Sequence, residues 1–365
     1  MKLTTMLLQL LVASTLLSAL AACKQNDAAG PAAEPAGVAP VSIMTFNVEN
    51  LFDNVNDPEK NDITFLASSE KQSDKHKAVC NEIDVDRWRD QCLNWDWSDD
   101  IIERKLALVA GVILQINDGR GPDIVALQEV ENLGILERLR NEHLGNAGYT
   151  EAILIEGDDL RGIDVAFLAR LPVVGPPDLH RIDFGDADEK RVVDTRGILE
   201  ATFELPDGSL LTGYAVHFPA PFHPTEMREA AYRHLNALRS DLPPDRPAFA
   251  AGDFNTTSVE NREKAMLERF VRPDWTVAHE VGCGGCPGTS YYARRDDWSF
   301  LDMIIWSPAE DGGEKATWAL RADSVRIANR APGQMRPDGT PWRFEMPAGT
   351  GVSDHWPVVV VIEFE

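Results

Sequence analysis

The sequence predicts an α/β fold in which mixed β-sheets are covered by helices. Hydrophobic residues make up 44% of the 365-residue chain and charged residues 26%, and these proportions allow a large buried core. Short apolar segments with strand character alternate with segments of helical period, a pattern typical of strand–helix–strand units. Segments 198–205 and 210–218, however, are joined by the turn Pro-Asp-Gly-Ser, which predicts a hairpin. We therefore expect both parallel and antiparallel strand pairs.

Apolar segments bounded by turn residues define the predicted strands, which span 41–49, 123–130, 151–156, 162–170, 198–205, 210–218, 248–254, 300–307 and 355–364. Helices are predicted over 99–117, 224–242 and 258–270. In the first helix, apolar residues recur at helical spacing, at Ile102, Leu106, Val109 and Ile113. Ser98 or Asp99 can cap its start, and Asp-Gly-Arg-Gly-Pro ends it.

A polar and irregular stretch follows the first strand, and we interpret residues 53–100 as a surface insertion. Trp88, Trp95 and Trp97 lie near its end. One interpretation is that the insertion covers a cleft and that its tryptophans bind substrate. The alternative is a surface elaboration that packs its own tryptophan side chains.

The N-terminal residues are expected to lie outside the folded domain. Residues 1–22 combine a basic start, an apolar run and small residues, as secretory signals do. The ending Leu-Ala-Ala-Cys resembles a bacterial lipoprotein signal and predicts a lipid anchor on Cys23, with an ordinary cleaved signal as the alternative. Residues 23–40 would form a flexible tether, and residues 41–365 a single domain. We expect the protein in the cell envelope, at the outer membrane, facing the periplasm or the exterior.

Export also determines how the other cysteines are interpreted. Because an exported chain meets an oxidising compartment, we expect the disulfides Cys80–Cys92 and Cys283–Cys286. The sequence Cys-Gly-Gly-Cys also has the spacing of half a zinc site. Cys80 and Cys92 are not a second close pair, which favours the disulfides.

Polar residues stand at the ends of several predicted strands, where buried charge is costly unless it is paired or bound to a metal. These residues are Asn47, Glu49, Gln128, Glu129, His217, Asp253, Asn255, Asp302, Asp354 and His355. The ends of neighbouring strands can meet at one cleft. We therefore expect these side chains to form a single site.

The oxygen donors in this set predict a divalent-cation site. Carboxylates come from Glu129, Asp253 and Asp354, and amide carbonyls come from Asn47 and Asn255. Mg²⁺ prefers such ligands and leaves coordination positions for a substrate phosphate, with Mn²⁺ and Ca²⁺ as alternatives. A cation in this position would polarise a phosphoryl oxygen.

Two histidines in the set could contact phosphate oxygens or transfer a proton near neutral pH. Each needs a partner that fixes its tautomer. We expect Asp302 to pair with His355 and Asp164 to pair with His217.

Five motifs resemble, in order, those of the endonuclease/exonuclease/phosphatase superfamily, which includes deoxyribonucleases, apurinic endonucleases, sphingomyelinases and inositol polyphosphate phosphatases. They are TFNVEN at 45–50, LQEVEN at 127–132, AGDFN at 251–255, FLDMI at 300–304 and SDHWP at 353–357. The resemblance covers about residues 41–365 without the insertion. It implies a four-layer sandwich, with two mixed β-sheets flanked by helices, and a metal-dependent phosphoesterase activity.

The resemblance also implies roles for matching positions. Glu129 would be the principal metal ligand, with Asn47 as its neighbour. Asp253 would orient or deprotonate the attacking water, and Asn255 would hold the scissile phosphate or a metal. Asp354 would be a ligand of a second metal site.

For the histidines, His355 paired with Asp302 would be the catalytic imidazole, and both His355 and Asp253 stay open as the general base. His217 resembles the second histidine of the deoxyribonuclease and sphingomyelinase branches. Arg196 resembles a phosphate-contacting arginine of the same branches.

Two departures from the family pattern stand out. The insertion separates the first strand from its helix, and Glu49, proposed as a metal ligand, stands where some members carry Asp. Outside the family motifs, Arg161 and Arg228 are further phosphate candidates, with surface salt bridges as the alternative for both.

These observations favour an extracytoplasmic, divalent-metal-dependent phosphoesterase that hydrolyses phosphodiester bonds, with a nuclease as the first choice. The chain has 35 Lys and Arg residues against 59 Asp and Glu, and its net charge of −24 repels nucleic acid at long range. Hydrolysis of small phosphate esters or lipid headgroups is therefore an alternative. A non-catalytic lipoprotein scaffold and a carbohydrate-binding protein are two others. We expect a monomer whose partners are a phosphate ester and a membrane.

Overall fold

Two β-sheets of six strands each are stacked at the centre of the computed structural model, which describes residues 37–309 and 317–365. Residues 38–365 form one compact unit. The signal over residues 1–22 and the lipid anchor on Cys23 lie outside the described residues. Within the described ranges, no helix is both long enough and apolar enough to cross a membrane.

The strands of the described residues are β1 Val41–Leu51, β2 Ile124–Val130, β3 Glu151–Leu154, β4 Asp164–Ala169, β5 Asp178–His180, β6 Ile198–Glu204, β7 Leu210–His217, β8 Ala248–Asp253, β9 Thr276–Val277, β10 Ser290–Tyr292, β11 Asp297–Ser299, β12 Asp302–Ser307, β13 Trp318–Ile327 and β14 Val358–Phe364. The first sheet has the order β13-β14-β1-β2-β4-β3 and the second β5-β6-β7-β8-β12-β9, while β10 and β11 form a separate hairpin. Two neighbouring pairs, β1–β2 and β7–β8, are parallel, and the others are antiparallel. Both sheets are therefore mixed, as predicted.

The helices of the described residues are α1 Asp74–Asn81, α2 Asp86–Asn94, α3 Asp99–Leu114, α4 Leu133–Arg138, α5 Glu189–Val192, α6 Thr225–Ser240, α7 Ser258–Lys264, α8 Met266–Phe270 and α9 Ala278–Gly282. The helix predicted over 258–270 is interrupted, because Ala265 adopts a left-handed backbone with φ of +52° between α7 and α8. The strand β13 was not predicted, since its centre alternates charged and small residues and is partly exposed.

Three apolar cores define four layers. Residues of both sheets, such as Phe167 of the first and Phe249 of the second, pack together in the middle. Leu106 of α3 packs with the outer face of the first sheet, and Leu235 of α6 packs with the outer face of the second. The order helix, sheet, sheet, helix confirms the predicted α/β sandwich.

The insertion is folded onto the domain. Within the insertion, a disulfide between Cys80 and Cys92 joins α1 to α2. Outside the insertion, a second disulfide joins Cys283 to Cys286. Trp97 is buried and donates its indole N–H to the carbonyl oxygen of Phe52 at 3.0 Å. Trp97 therefore serves packing, whereas Trp88 is 59% exposed.

Candidate active site

Three polar side chains lie in one row across the second sheet. His217 ends β7, Asp253 ends β8 and Asp302 begins β12. The parallel register pairs His217 with Asp253, and the antiparallel register pairs Asp302 with Asp253. Gly252 permits this approach, because a Cβ atom there would collide with the carbonyl oxygen of Val216. Strand register alone thus gathers one imidazole and two carboxylates.

The first sheet contributes Asn47 and Glu129. The parallel strands β1 and β2 pair Asn47 with Gln128, and the register shifts directly after both residues. Glu129 lies in this irregularity with φ of +65°, and Asn50 has φ of +58°. An irregularity of this kind re-aims a side chain. The Oε2 atom of Glu129 accepts a hydrogen bond from the backbone N–H of Asn50 at 3.0 Å.

The side chain of Asn47 bridges the two sheets. Its Nδ2 atom lies 3.2 Å from Oδ2 of Asp253 and 3.4 Å from Oε1 of Glu129. Its Oδ1 atom accepts a hydrogen bond from the backbone N–H of Glu49 at 3.0 Å. The amide N–H group, and not the carbonyl oxygen, therefore faces the carboxylates. In this arrangement Asn47 links Glu129 and Asp253 through its amide N–H group. Its carbonyl oxygen does not point to the place between the two carboxylates.

His355 enters the site from the loop before β14. Its Nδ1 atom lies 2.7 Å from Oδ2 of Asp302, and its Nε2 atom lies 3.9 Å from Oδ2 of Asp253. Burial alone would lower the pKa of His355, but the carboxylates of Asp302, Asp253 and Asp354 hold that pKa well above its usual value. The expected contact between His355 and Asp302 is present, and it favours a cationic imidazole.

His217 lies on the other side of Asp253, with its Nε2 atom 3.7 Å from Oδ2 of that residue. Burial and the positive charges of Arg196, Arg161 and His355 hold the pKa of His217 well below its usual value. The surroundings therefore favour the charged form of His355 and the neutral form of His217, and the Nε2 atoms of both lie near Oδ2 of Asp253.

The pairing expected between Asp164 and His217 is wrong. Oδ1 of Asp164 accepts a hydrogen bond from the backbone N–H of Gly157 at 3.0 Å, so its side chain closes the loop before β4. Among the described residues, Nδ1 of His217 has no hydrogen-bond partner. Burial raises the pKa of Asp164 to about 7. Asp164 therefore has a structural position and not a catalytic one.

The structure does not favour Glu49 as a metal ligand, because its carboxylate is engaged in other contacts. Its Oε1 atom accepts hydrogen bonds from Nε and Nη2 of Arg343, at 2.8 and 2.6 Å. Its Oε2 atom accepts from the backbone N–H groups of Phe344 and Asp354, at 2.8 and 3.2 Å. Because both oxygens are occupied, Glu49 orders the loop that carries Asp354.

Asp354 is an open carboxylate at the edge of the site, and its side chain is 44% exposed. Its Oδ1 atom lies 4.0 Å from Nε2 of His355, and its Oδ2 atom lies 3.4 Å from Nη2 of Arg343. An exposed carboxylate in this position agrees with the role of a further cation ligand.

Asn255 and Arg196 converge on one backbone carbonyl. Nδ2 of Asn255 and Nη2 of Arg196 donate to the oxygen of Phe218, at 3.0 and 3.2 Å, and the backbone N–H of Asn255 donates to Oδ1 of Asp253 at 2.8 Å. Arg196 is buried and pairs with Oδ2 of Asp159 at 2.9 Å. Among the described residues, Nε of Arg196 has no hydrogen-bond partner. The phosphate contact expected of Arg196 therefore stays a prediction.

Arg228 also has a structural role. Its buried guanidinium pairs with Glu260 and donates to the carbonyl oxygens of Pro219, Ala220 and His223. Arg161, in contrast, has a half-exposed side chain, and its Nη2 atom lies 4.0 Å from Oε2 of Glu129.

Sequence reasoning missed two cations beside the site, Lys105 and Arg343. Nζ of the buried Lys105 donates to the carbonyl oxygen of Val352 at 2.7 Å. Burial lowers the pKa of Lys105 to about 8 against the opposing charge of Glu49. Lys105 lies three residues after Ile102 on the apolar face of α3, a position that could have revealed it. Arg343 lies in an irregular loop with no such signal.

The residues at the centre fit a divalent cation. Asn47 contacts the carboxylates of both Glu129 and Asp253, at 3.4 and 3.2 Å, so these two ligands lie next to each other. Asp302 and His355 lie within 4.8 Å of Asp253 but pair with each other. Burial and the carboxylates of Asp302 and Glu129 raise the pKa of Asp253 to about 7, which indicates uncompensated negative charge. Carboxylate oxygens are the ligands that Mg²⁺ prefers.

Taken together, the α/β sandwich and the oxygen-rich site with two histidines define a class, the phosphoric ester hydrolases. The chain matches the model described as Endonuclease/Exonuclease/phosphatase family over residues 44–355, and it belongs to that family. Members of this family are phosphoric ester hydrolases and generally use divalent metals. Among curated proteins the sequence has no match.

Solved structures share the fold at low sequence identity. A humanized TDP2 of D. rerio is 15% identical with a TM-score of 0.54, and the match covers 89% of this chain and 99% of that one. A family member from Bacteroides vulgatus is 17% identical with a TM-score of 0.51, covering 90% and 100%. The D. rerio TDP2 complexed with a single-strand DNA product is 14% identical with a TM-score of 0.51, covering 89% and 99%. At these identities the similarity concerns the fold.

Proposed function

We propose that this protein is an exported, Mg²⁺-dependent phosphodiesterase whose substrate is a nucleic acid. The observation that supports this proposal best is the convergence of Glu129, Asp253 and His355 on one place, from three distant parts of the chain. Two histidines of opposite charge state flank Asp253, an arrangement suited to moving protons at a phosphate. The single-strand DNA product bound by a TDP2 with this fold is consistent with the substrate class.

Glu129, Asp253 and Asp354 would hold the cation. When bound, the cation would neutralise charge on the phosphate and stabilise the leaving oxygen. Asp253 would orient the attacking water and accept its proton, while the water oxygen bonds to phosphorus. His355, kept cationic by Asp302, would donate a proton to the leaving oxygen as the P–O bond breaks. His217 would contact a non-bridging phosphate oxygen.

The net charge of −24 favours a second candidate, hydrolysis of a small phosphate ester or a lipid headgroup. One assay separates these substrates. The purified protein would be incubated with Mg²⁺, Mn²⁺, Ca²⁺ or EDTA, and tested in parallel on plasmid DNA, RNA, bis-p-nitrophenyl phosphate and sphingomyelin. Cleavage of DNA or RNA that EDTA stops supports the proposal. Cleavage of the small diester or of sphingomyelin alone would exclude the nuclease.

The Asp253→Asn variant tests whether the site is catalytic at all. We expect hydrolysis to fall at least about 100-fold, the usual scale for a positioned acid or base. The matched control is Asp245→Asn, which changes an exposed aspartate in the loop before β8 and should leave the rate unchanged. Equal rates in both variants would show that Asp253 takes no part in catalysis, whereas no hydrolysis by the parent itself would support a non-catalytic scaffold.

We also propose that Cys23 carries the lipid anchor that keeps the enzyme in the cell envelope. The leader before Cys23 and the two disulfides support this location. A Cys23→Ser variant should appear in the soluble fraction of the envelope, whereas the parent should sediment with membranes. Sedimentation of both proteins would contradict the anchor.

A further inference from the structure

Arg161 is a half-exposed cation next to the proposed catalytic centre. Its Nη2 atom lies 4.0 Å from Oε2 of Glu129 and donates to Oδ1 of Asn50 at 3.1 Å, while 46% of the side chain is exposed. Its charge is also one of those that lower the pKa of His217. Arg161 therefore lies beside Glu129, one of the residues proposed to hold the cation.

The charge of Arg161 is less neutralised than that of the other arginines around the site. Arg196 is buried and pairs with Asp159 at 2.9 Å. Arg343 pairs with Glu49 at 2.6 Å and with Asp354 at 3.4 Å. Within the described residues, Nε and Nη1 of Arg161 have no hydrogen-bond partner, so donors remain for a ligand.

The backbone around Arg161 is fixed by its own turn. The N–H of Arg161 donates to Oδ1 of Asp159 at 2.6 Å, and the N–H of Gly162 donates to the carbonyl oxygen of Asp159 at 3.1 Å. The N–H of Leu160 donates to the carbonyl oxygen of Val193 at 2.8 Å. These bonds hold the backbone of the turn in place, while the long side chain of Arg161 is half-exposed.

The insertion supports this turn from outside. Nζ of Lys60 donates to the carbonyl oxygens of Gly157 and Asp159, at 2.8 and 2.9 Å. The N–H of Asn61 donates to the carbonyl oxygen of Leu160 at 2.6 Å. A Cβ atom on Gly162 would lie 3.4 Å from the side chain of Lys60, so the two segments are in close contact.

We propose that Arg161 binds a non-bridging oxygen of the substrate phosphate, and that the insertion positions Arg161 through Lys60 and Asn61. A guanidinium suits this task because its donors match two phosphate oxygens, and its charge offsets the acidic surroundings. The inference rests on the proposed function and adds to it a substrate contact outside the family motifs. It also gives the insertion a positioning role in substrate binding.

The first test compares Arg161→Ala with Arg181→Ala. Arg181 is a matched control, since its side chain is 80% exposed and pairs with Asp158, three residues before Arg161. With bis-p-nitrophenyl phosphate and Mg²⁺, Arg161→Ala should raise KM, and the Ki for inorganic phosphate, about 10- to 100-fold, the scale for losing a hydrogen bond to a charged group. Arg161→Lys should recover part of the loss, because it keeps the charge without the planar fork. Equal effects of Arg161→Ala and Arg181→Ala would overturn the contact.

The second test concerns the insertion. Lys60→Met removes both hydrogen bonds to the turn and should raise KM several-fold. In an Arg161→Ala background the same change should have no further effect, because the two residues act through one contact. A Lys60→Met effect of the same size in both backgrounds would overturn the positioning role.

A binding measurement separates this inference from the proposed function. Inorganic phosphate with Mg²⁺ should raise the Tm of the parent and of Arg181→Ala, but not that of Arg161→Ala. If the parent shows this shift but hydrolyses no ester, the proposed function is contradicted and the contact between Arg161 and phosphate is still supported. A parent without the shift, or an equal shift in all three proteins, would overturn the contact.

Discussion

The Nδ1 atom of His355 lies 2.7 Å from Oδ2 of Asp302, a residue 53 positions earlier in the chain. This contact joins the loop before β14 to the start of β12. It directs Nε2 of His355 toward Asp253, 3.9 Å away. The carboxylate of Asp302 thereby fixes the tautomer of His355 and favours its charged form.

The Asp302→Asn variant tests this relationship. We expect kcat to fall at least about 100-fold, because the imidazole loses the partner that keeps it charged. The pKa of His355 is held well above its usual value by carboxylates that include Asp302, so the variant should titrate at lower pH. The corresponding inflection in the pH–rate profile should move in the same direction. An unchanged profile would show that another group controls it.

The Asp253→Asn variant should also separate stability from activity. Burial and neighbouring carboxylates raise the pKa of Asp253, so the ionised side chain destabilises the metal-free fold at neutral pH. The variant should therefore have a higher Tm than the parent in EDTA. It should gain less from added Mg²⁺, since it lacks one of the proposed cation ligands. An equal Mg²⁺-dependent gain in Tm would remove Asp253 from the ligand set.

Asp164→Asn should stabilise the protein in a pH-dependent manner. The pKa of Asp164 rises from 3.8 to about 7 in the fold, so the folded state binds more protons than the unfolded state between these values. The free energy of unfolding of the parent therefore falls as pH rises through this window. The variant does not show this fall, because its amide does not titrate. Urea unfolding at pH 4 and pH 8 should show an advantage for the variant only at pH 8. Activity should persist, since Asp164 does not touch His217.

Glu49→Ala should affect folding more than cation binding. It removes the acceptor of two backbone N–H groups and of Arg343, and leaving buried donors unpaired costs about 1–3 kcal/mol each. We expect a lower urea midpoint and a nearly unchanged Mg²⁺ concentration for half-maximal rate. Glu129→Gln is the comparison, and it should shift the Mg²⁺ requirement strongly. A similar shift in both variants would restore Glu49 as a ligand.

The sequence predicted much of the fold because its apolar segments are long and its strand ends carry polar residues. The segment 248–254 was predicted as a strand, and β8 occupies Ala248–Asp253. β13 was missed, because an edge strand with Arg321 and Asp323 at exposed positions lacks a continuous apolar signal. The break at Ala265 was missed because nothing in the local sequence requires a left-handed backbone.

The two histidine pairings show where sequence reasoning stops. Asp302 and Asp164 both begin strands, and both were assigned to an imidazole. Only Asp302 makes that contact, because side-chain direction in a strand depends on register, and a shift of one residue turns the side chain to the opposite face. The surroundings of Glu49 were missed for a related reason. Its partner Arg343 is 294 positions away, in a loop whose path no pattern of residues predicts.

Left-handed backbone recurs where the strands meet the site, at Glu49, Asn50, Glu129 and Asn255. At these positions β-branched residues are penalised whatever their chemistry, since φ near +60° brings their side chains against the main chain. At each position one residue must therefore satisfy both the backbone conformation and the chemistry of the side chain. Substitutions at these positions should therefore accumulate slowly even in a related protein that no longer hydrolyses esters. Such a protein could keep the sequence motifs of the site after its activity is lost.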